Sequence, residues 1–176
     1  MATHEFTLVI DGDVQEAGTI DALFERGCDD ATFGAVDGVG YGDFHRAAPS
    51  LLDAVVAAIR AVESVPGLRA LRVEPDDLVT AAEIAARLGR TRESVRLLIA
   101  GERGDGAFPA PMSHLRTRHR LWRWSDVAVW SQHATPEEAA QAGALAAVNA
   151  ALELRNRAAA LPASERRLVT SLGLSA

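Results

Sequence analysis

A chain of 176 residues with a formal net charge of −6 and a 48% hydrophobic share suits one large domain or two small ones of ordinary globular composition. No apolar run reaches the roughly 18 residues of a membrane helix, and MATHEFTLVIDGDV lacks the basic segment and long apolar run of a signal peptide. The single Cys28 excludes an internal disulfide and a Cys-rich metal site, so a cytoplasmic location is expected.

Charge divides the chain. Residues 1–77 carry 15 acidic and 5 basic side chains, residues 78–134 carry 5 and 9, and residues 135–176 carry 4 of each. All 18 basic residues are arginine. Such asymmetry suggests parts with different partners, the middle one suited to a polyanion. Two domains of opposite charge could equally dock on each other.

In chain order, FTLVI (6–10) reads as a strand and TIDALFERG (19–27) as a short helix ending at Gly27. DATFGAVD (30–37) and VGYGDFHR (39–46) read as strands joined at Gly38. SLLDAVVAAIRAVESV (50–65) repeats apolar residues at helical spacing. Pro66-Gly67 stops it, and LRALRVE (68–74) is the last strand. The order β-α-β-β-α-β predicts an α+β region, a ferredoxin-like sandwich over residues 1–75. Its free sheet face and edges could take a protein or small-molecule partner.

The next region begins at LVTAAEIAARLGRTRESVRLLIAG (78–101). Thr80 and Glu83 have capping-box spacing, so a helix is expected from Ala81, with Ile84, Ala85 and Leu88 as its buried stripe. Thr91 can cap a second helix with Val95, Leu98 and Ile99 inward. Two short helices around a glycine turn make a helix-turn-helix. Beyond it, Pro109 and Pro111 flank an extended segment, LRTRHR can turn, and LWRW can return as a second strand. Ser125 is expected to cap a helix carrying Val127 and Trp130. The arrangement predicts a winged helix-turn-helix over residues 78–134.

These residues carry a resemblance. TAAEIAARLG, then FPAP, then LWRWSDVAVW resembles the winged-helix DNA-binding domains of the MerR, excisionase and AlpA-like superfamily over residues 78–133. ERGDG (102–106) lengthens the link before the wing. The resemblance implies that the second helix, 91–100, enters the major groove of double-stranded DNA while the wing lies on the backbone or in the minor groove. Arg116, Arg118, His119 and Arg120 then fall at the wing tip, where guanidinium groups suit phosphate oxygens. Arg92 and Arg96 could reach a guanine edge, and Thr91, Ser94 and the helix N-terminus could meet phosphate. Arg92 or Arg96 could instead pair with Glu93 or Glu102. Trp122 and Trp130 are expected in the core, while Trp124 is open to either reading.

Catalysis has little support. The five histidines are dispersed without ligand spacing. Asp29, Asp30, Asp37 and Asp43 are carboxylates of strand ends and turns, better read as solvated than as metal ligands. Asp43, His45 and Arg46 could suggest acid–base chemistry, yet period-two alternation alone puts Asp43 and His45 on one face. Neither enzyme activity nor a cofactor or metal is expected. Finally, residues 137–161 form a long alanine-rich helix with apolar seams at Leu145, Val148 and Leu152 and at Leu154, Ala158 and Leu161. The segment 135–176 is expected to pack on the amino-terminal domain or on a second copy, making a homodimer. The expected whole is a cytoplasmic bacterial DNA-binding regulator of transcription. A protein-interaction adaptor of the antitoxin or phage-related kind is the alternative, as is an excisionase-like architectural factor.

Overall fold

The computed structural model describes residues 1–104, 106–114, 117, 119–132 and 135–173. Among them seven helices and six strands make an α+β protein, and no helix is long and apolar enough to cross a membrane. The chain divides into two compact units, one of residues 1–75 with 147–176 and one of residues 76–146.

In the first unit, β1 (Ala2–Asp11), α1 (Ala17–Glu25), β2 (Ala31–Val36), β3 (Val39–Ala48), α2 (Leu51–Glu63) and β4 (Arg69–Glu74) follow the expected order. The strands form one sheet in the order β2-β3-β1-β4, antiparallel at every pairing. Alternation decides which side chains turn inward. Phe6, Leu8 and Ile10 from β1 and Phe44, Arg46 and Ala48 from β3 are buried; Glu5, Asp43, His45 and Ala47 between them are exposed. α2 adds Val55, Ala58, Ile59 and Val62, spaced to fall on one helical stripe and all buried. Ser50 caps this helix, its hydroxyl accepting the Asp53 N–H at 3.1 Å. The β2–β3 hairpin turns on Asp37 and Gly38, whose φ angles of 52° and 81° are the left-handed pair that matches strand twist.

Arg46 is buried, and its reason is local. Nε and Nη2 donate to the two Asp30 carboxylate oxygens at 2.7 and 2.8 Å, and Nη2 also reaches the Gly27 carbonyl. The sheet thus separates Arg46 from Asp43 and His45, so the three do not form one acid–base group.

The long helix α6 (Pro136–Ala159) contributes its last turns to the first unit. There Asn149 is buried and pairs with both backbone groups of Val73, accepting its N–H at 2.8 Å and donating to its carbonyl at 2.9 Å. Asn156 and Arg155 donate to the Ala70 carbonyl at 3.1 and 3.2 Å, while Glu63 accepts the Ala70 N–H at 3.0 Å. Side chains therefore satisfy edge strand β4 where another strand would otherwise pair. Leu152 and Ala158 are buried on the same stretch, and α7 (Ala163–Gly173) follows.

The second unit holds β5 (Leu78–Thr80), α3 (Ala81–Arg87), α4 (Arg92–Ile99), β6 (Leu121–Arg123) and α5 (Trp124–Trp130). Val79, Ile84, Ala85, Leu88, Val95, Trp122 and Val127 form its buried core. β6 differs from expectation in its partner. It pairs with β5 through Leu78↔Arg123, Val79↔Trp122 and Thr80↔Leu121, and among the described residues the stretch after Pro109 adds the single bridge Ser113↔Leu121. Pro109 and Pro111 have no N–H to donate, so that stretch cannot sustain a ladder. β5 has every donor, and it takes the place expected of the first wing strand, the segment around Pro109 and Pro111.

Candidate nucleic-acid interface

α3 and α4 are each capped at the N-terminus by a threonine. Thr80 and Glu83 form a complete capping box: the Glu83 carboxylate accepts the Thr80 N–H at 2.7 Å, and the Thr80 hydroxyl accepts the Glu83 N–H at 3.3 Å. The Thr80 N–H and then its hydroxyl hold the Glu83 carboxyl below the usual carboxylate range. Thr91 caps α4 by accepting the Ser94 N–H at 3.1 Å. Val95 and Leu98 anchor the helix in the core. Its first turn therefore presents a fixed surface.

Along that surface the expected site residues fare differently. Arg92 is exposed and has no carboxylate partner among the described residues. Thr91 spends an acceptor lone pair on the cap but keeps a hydroxyl proton to donate. Ser94 is half-buried; its N–H is the one that the cap consumes. Arg96 is engaged. Its Nε and Nη2 donate to Glu93 at 2.9–3.0 Å, and Glu102 lies 3.5 Å from Nη2. These hydrogen bonds push Glu93 below the carboxylate range and hold Arg96 firmly protonated. For Arg96 to reach a base it must leave one carboxylate or the other.

In the segment expected to form the wing, His119 is exposed and Arg120 half-buried, with the Arg120 guanidinium over the Trp122 ring at 5.6 Å. Arg116 and Arg118 lie outside the described residues. Trp122 is buried, its indole N–H donating to the Pro109 carbonyl at 3.2 Å. Phe108 meets Trp122 and Trp130 edge-on, with ring centroids 6.3 and 4.8 Å apart. Trp124 is half-buried under the Arg87 guanidinium, 5.0 Å from its ring centroid.

Several residues that organise this surface escaped the sequence reading. Ser125 does not cap α5 itself. Asp77, whose side chain is 2% exposed, accepts the Ser125 N–H at 2.7 Å and the Ser125 hydroxyl at 3.0 Å, while its own carbonyl accepts the Trp124 N–H at 2.6 Å. Arg123 completes the group at 3.4 Å. One carboxylate thus ties the segment before β5 to β6 and α5. Its signal, a lone Asp-Asp pair after Pro75, looks like ordinary acidic linker. Arg90 and Arg103 are exposed and, among the described residues, neither meets a carboxylate; both line a cavity of about 410 Å³ with Leu98, Trp130 and Gln132.

Other chemistry has less to stand on. Among the described residues no group of three or more His, Cys, Asp or Glu side chains is placed to hold a metal ion. Cys28 is buried, and burial pushes its thiol up, against the smaller opposing pull of Arg46. No protein family, curated protein or solved structure matches this chain.

Proposed function

We propose that the chain is a sequence-selective double-stranded DNA-binding protein and regulates transcription, with the second unit as a winged helix-turn-helix. α4 enters the major groove, and the segment between Pro109 and β6 lies on the backbone. The observation that carries this reading is Arg92: exposed, without an ion pair among the described residues, and seated on the first turn of a helix that a threonine cap and two core side chains hold still. An unpaired guanidinium on a rigid helix suits bidentate recognition of guanine. The strand order β2-β3-β1-β4 supports a ferredoxin-like first unit, which serves as an accessory or partner-binding domain rather than a DNA surface. A single recognition module covers only about 600–1,000 Å² on DNA, so two copies on paired half-sites are proposed as the working form.

The test is selection of duplexes from a random pool by the full chain, followed by titration of the selected and a scrambled duplex over a salt series. The reading requires an enriched motif, tighter binding to it, and affinity that falls with salt. Equal and salt-insensitive binding to both duplexes overturns it. Sedimentation of the protein alone and with the selected duplex reads the stoichiometry: a two-to-one complex supports paired modules, and a one-to-one complex rejects them.

A further inference from the structure

We infer that the cavity between Arg90 and Arg103 in the second unit is a binding site for a phosphate group, the class of ligand being a phosphodiester of nucleic acid. The inference rests on the DNA-binding reading for its source, though not for its chemistry. The cavity, about 410 Å³, has Leu98 and Trp130 for apolar lining and two guanidinium groups at its margin. Arg90 comes from the turn between α3 and α4, and Arg103 from the loop after α4. Two arginines from different segments line one concavity, where their like charges favour an anion between them. Arg96 shows the alternative in the same unit: two carboxylates already surround it. Arg90 and Arg103 lack such partners among the described residues and keep their forks for an external oxygen.

Gln132 adds an independent observation. It follows the last turn of α5 with φ of 57°, the left-handed position where glycine or asparagine ordinarily ends a helix. Glycine would adopt that angle at no steric cost. The chain instead places there a glutamine that lines the cavity and carries an amide able to donate to a phosphate oxygen. On the far side Gly104, at φ of 82°, keeps the loop close: a Cβ there would lie 3.2 Å from a Leu98 methyl. Both loops are thus shaped around the space between the arginines.

The experiment uses the full chain and two probes, inorganic phosphate and a random-sequence duplex. Phosphate should move the Trp130 indole resonance, assigned with Trp130→Phe, in a saturable way, and the double variant Arg90→Gln with Arg103→Gln should abolish that response. On duplex DNA the double variant should lose about tenfold in affinity and lower the salt slope by about 2, one phosphate per arginine, while Arg69→Ala in the first unit leaves the slope unchanged. Gln132→Gly should weaken phosphate binding without lowering the melting temperature, an outcome that a merely structural glutamine would not give. A phosphate response without any duplex binding keeps the site and rejects the DNA reading, identifying free phosphate as the source. Selective duplex binding that the double variant leaves untouched, with no phosphate response, overturns the inference and leaves that reading standing. A Trp130 resonance unmoved by either probe overturns it as well.

Discussion

Glu93 and Arg96 show how two neighbours one turn apart settle what each can do. The bidentate contact makes the pair neutral, and Glu102 adds a negative charge beside it. Both side chains of the pair are more than half exposed, so the bond adds little to stability, but it withholds a cation from the surface. Glu93→Gln should release Arg96, raise affinity for scrambled duplex and steepen the salt slope by about 1; an unchanged slope would show that Arg96 already stands free in solution. Cys28 provides a second test at this scale. Burial raises its pKa, so its thiol stays protonated near neutrality and its reactive thiolate is scarce. Iodoacetamide modification should follow global unfolding in urea, and fast labelling of the native chain would contradict the burial.

Between elements, two buried polar side chains replace contacts that regular structure leaves open. Asp77 closes the start of α5, and its loss leaves the part-buried Ser125 N–H and hydroxyl without their acceptor. Asp77→Ala should lower the stability of the second unit by about 1–3 kcal/mol, read by chemical denaturation, whereas Asp77→Asn keeps acceptance by one oxygen and should cost less. Asn149→Leu, close in volume, leaves the Val73 N–H and carbonyl unpaired and should destabilise the first unit by about 1–3 kcal/mol for each group. The capping box of α3 adds a pH dependence. Glu83 has a lowered folded pKa, so its contribution is full above the ordinary glutamate value and is lost as pH falls through the lowered one. Glu83→Gln should flatten the acid side of the thermal stability profile.

These same elements mark how far the sequence was readable. Apolar spacing placed α2 and α4, and cap residues placed the starts of α3 and α4, because both signals are local. The pairing of β6 with β5 was not legible: three residues, Leu78 to Thr80, have no period to count, and their partner lies some forty positions away. Asp77 and Asn149 were missed for a related reason. A buried polar residue in an acidic or alanine-rich stretch looks like surface until the distant backbone that it satisfies is known. Of the expected interface, Arg92 was legible as an exposed cation at a capped helix start, while the commitment of Arg96 to Glu93 was one of two open alternatives.

For the whole molecule, the negative balance falls on the first unit. Its residues 1–75 and 147–176 carry 15 acidic and 9 basic side chains, while the second unit carries 9 of each, so like charge makes broad contact with phosphate less favourable for the first than for the second. The second unit carries the candidate interface, and the last turns of α6 belong with the first. A truncation of residues 1–75 would therefore strip Asn149 and Leu152 of the strand and core they cover, so the division of labour is best tested in the full chain. The direct measurement is the affinity of wild type and Arg92→Ala for the selected duplex and for single-guanine replacements of it. The account predicts that Arg92→Ala loses about 1–3 kcal/mol on the selected duplex and no longer distinguishes one particular guanine from its replacement, while its binding to scrambled DNA changes little. Full discrimination at every guanine by the variant would contradict the claim that α4 reads the major groove through Arg92.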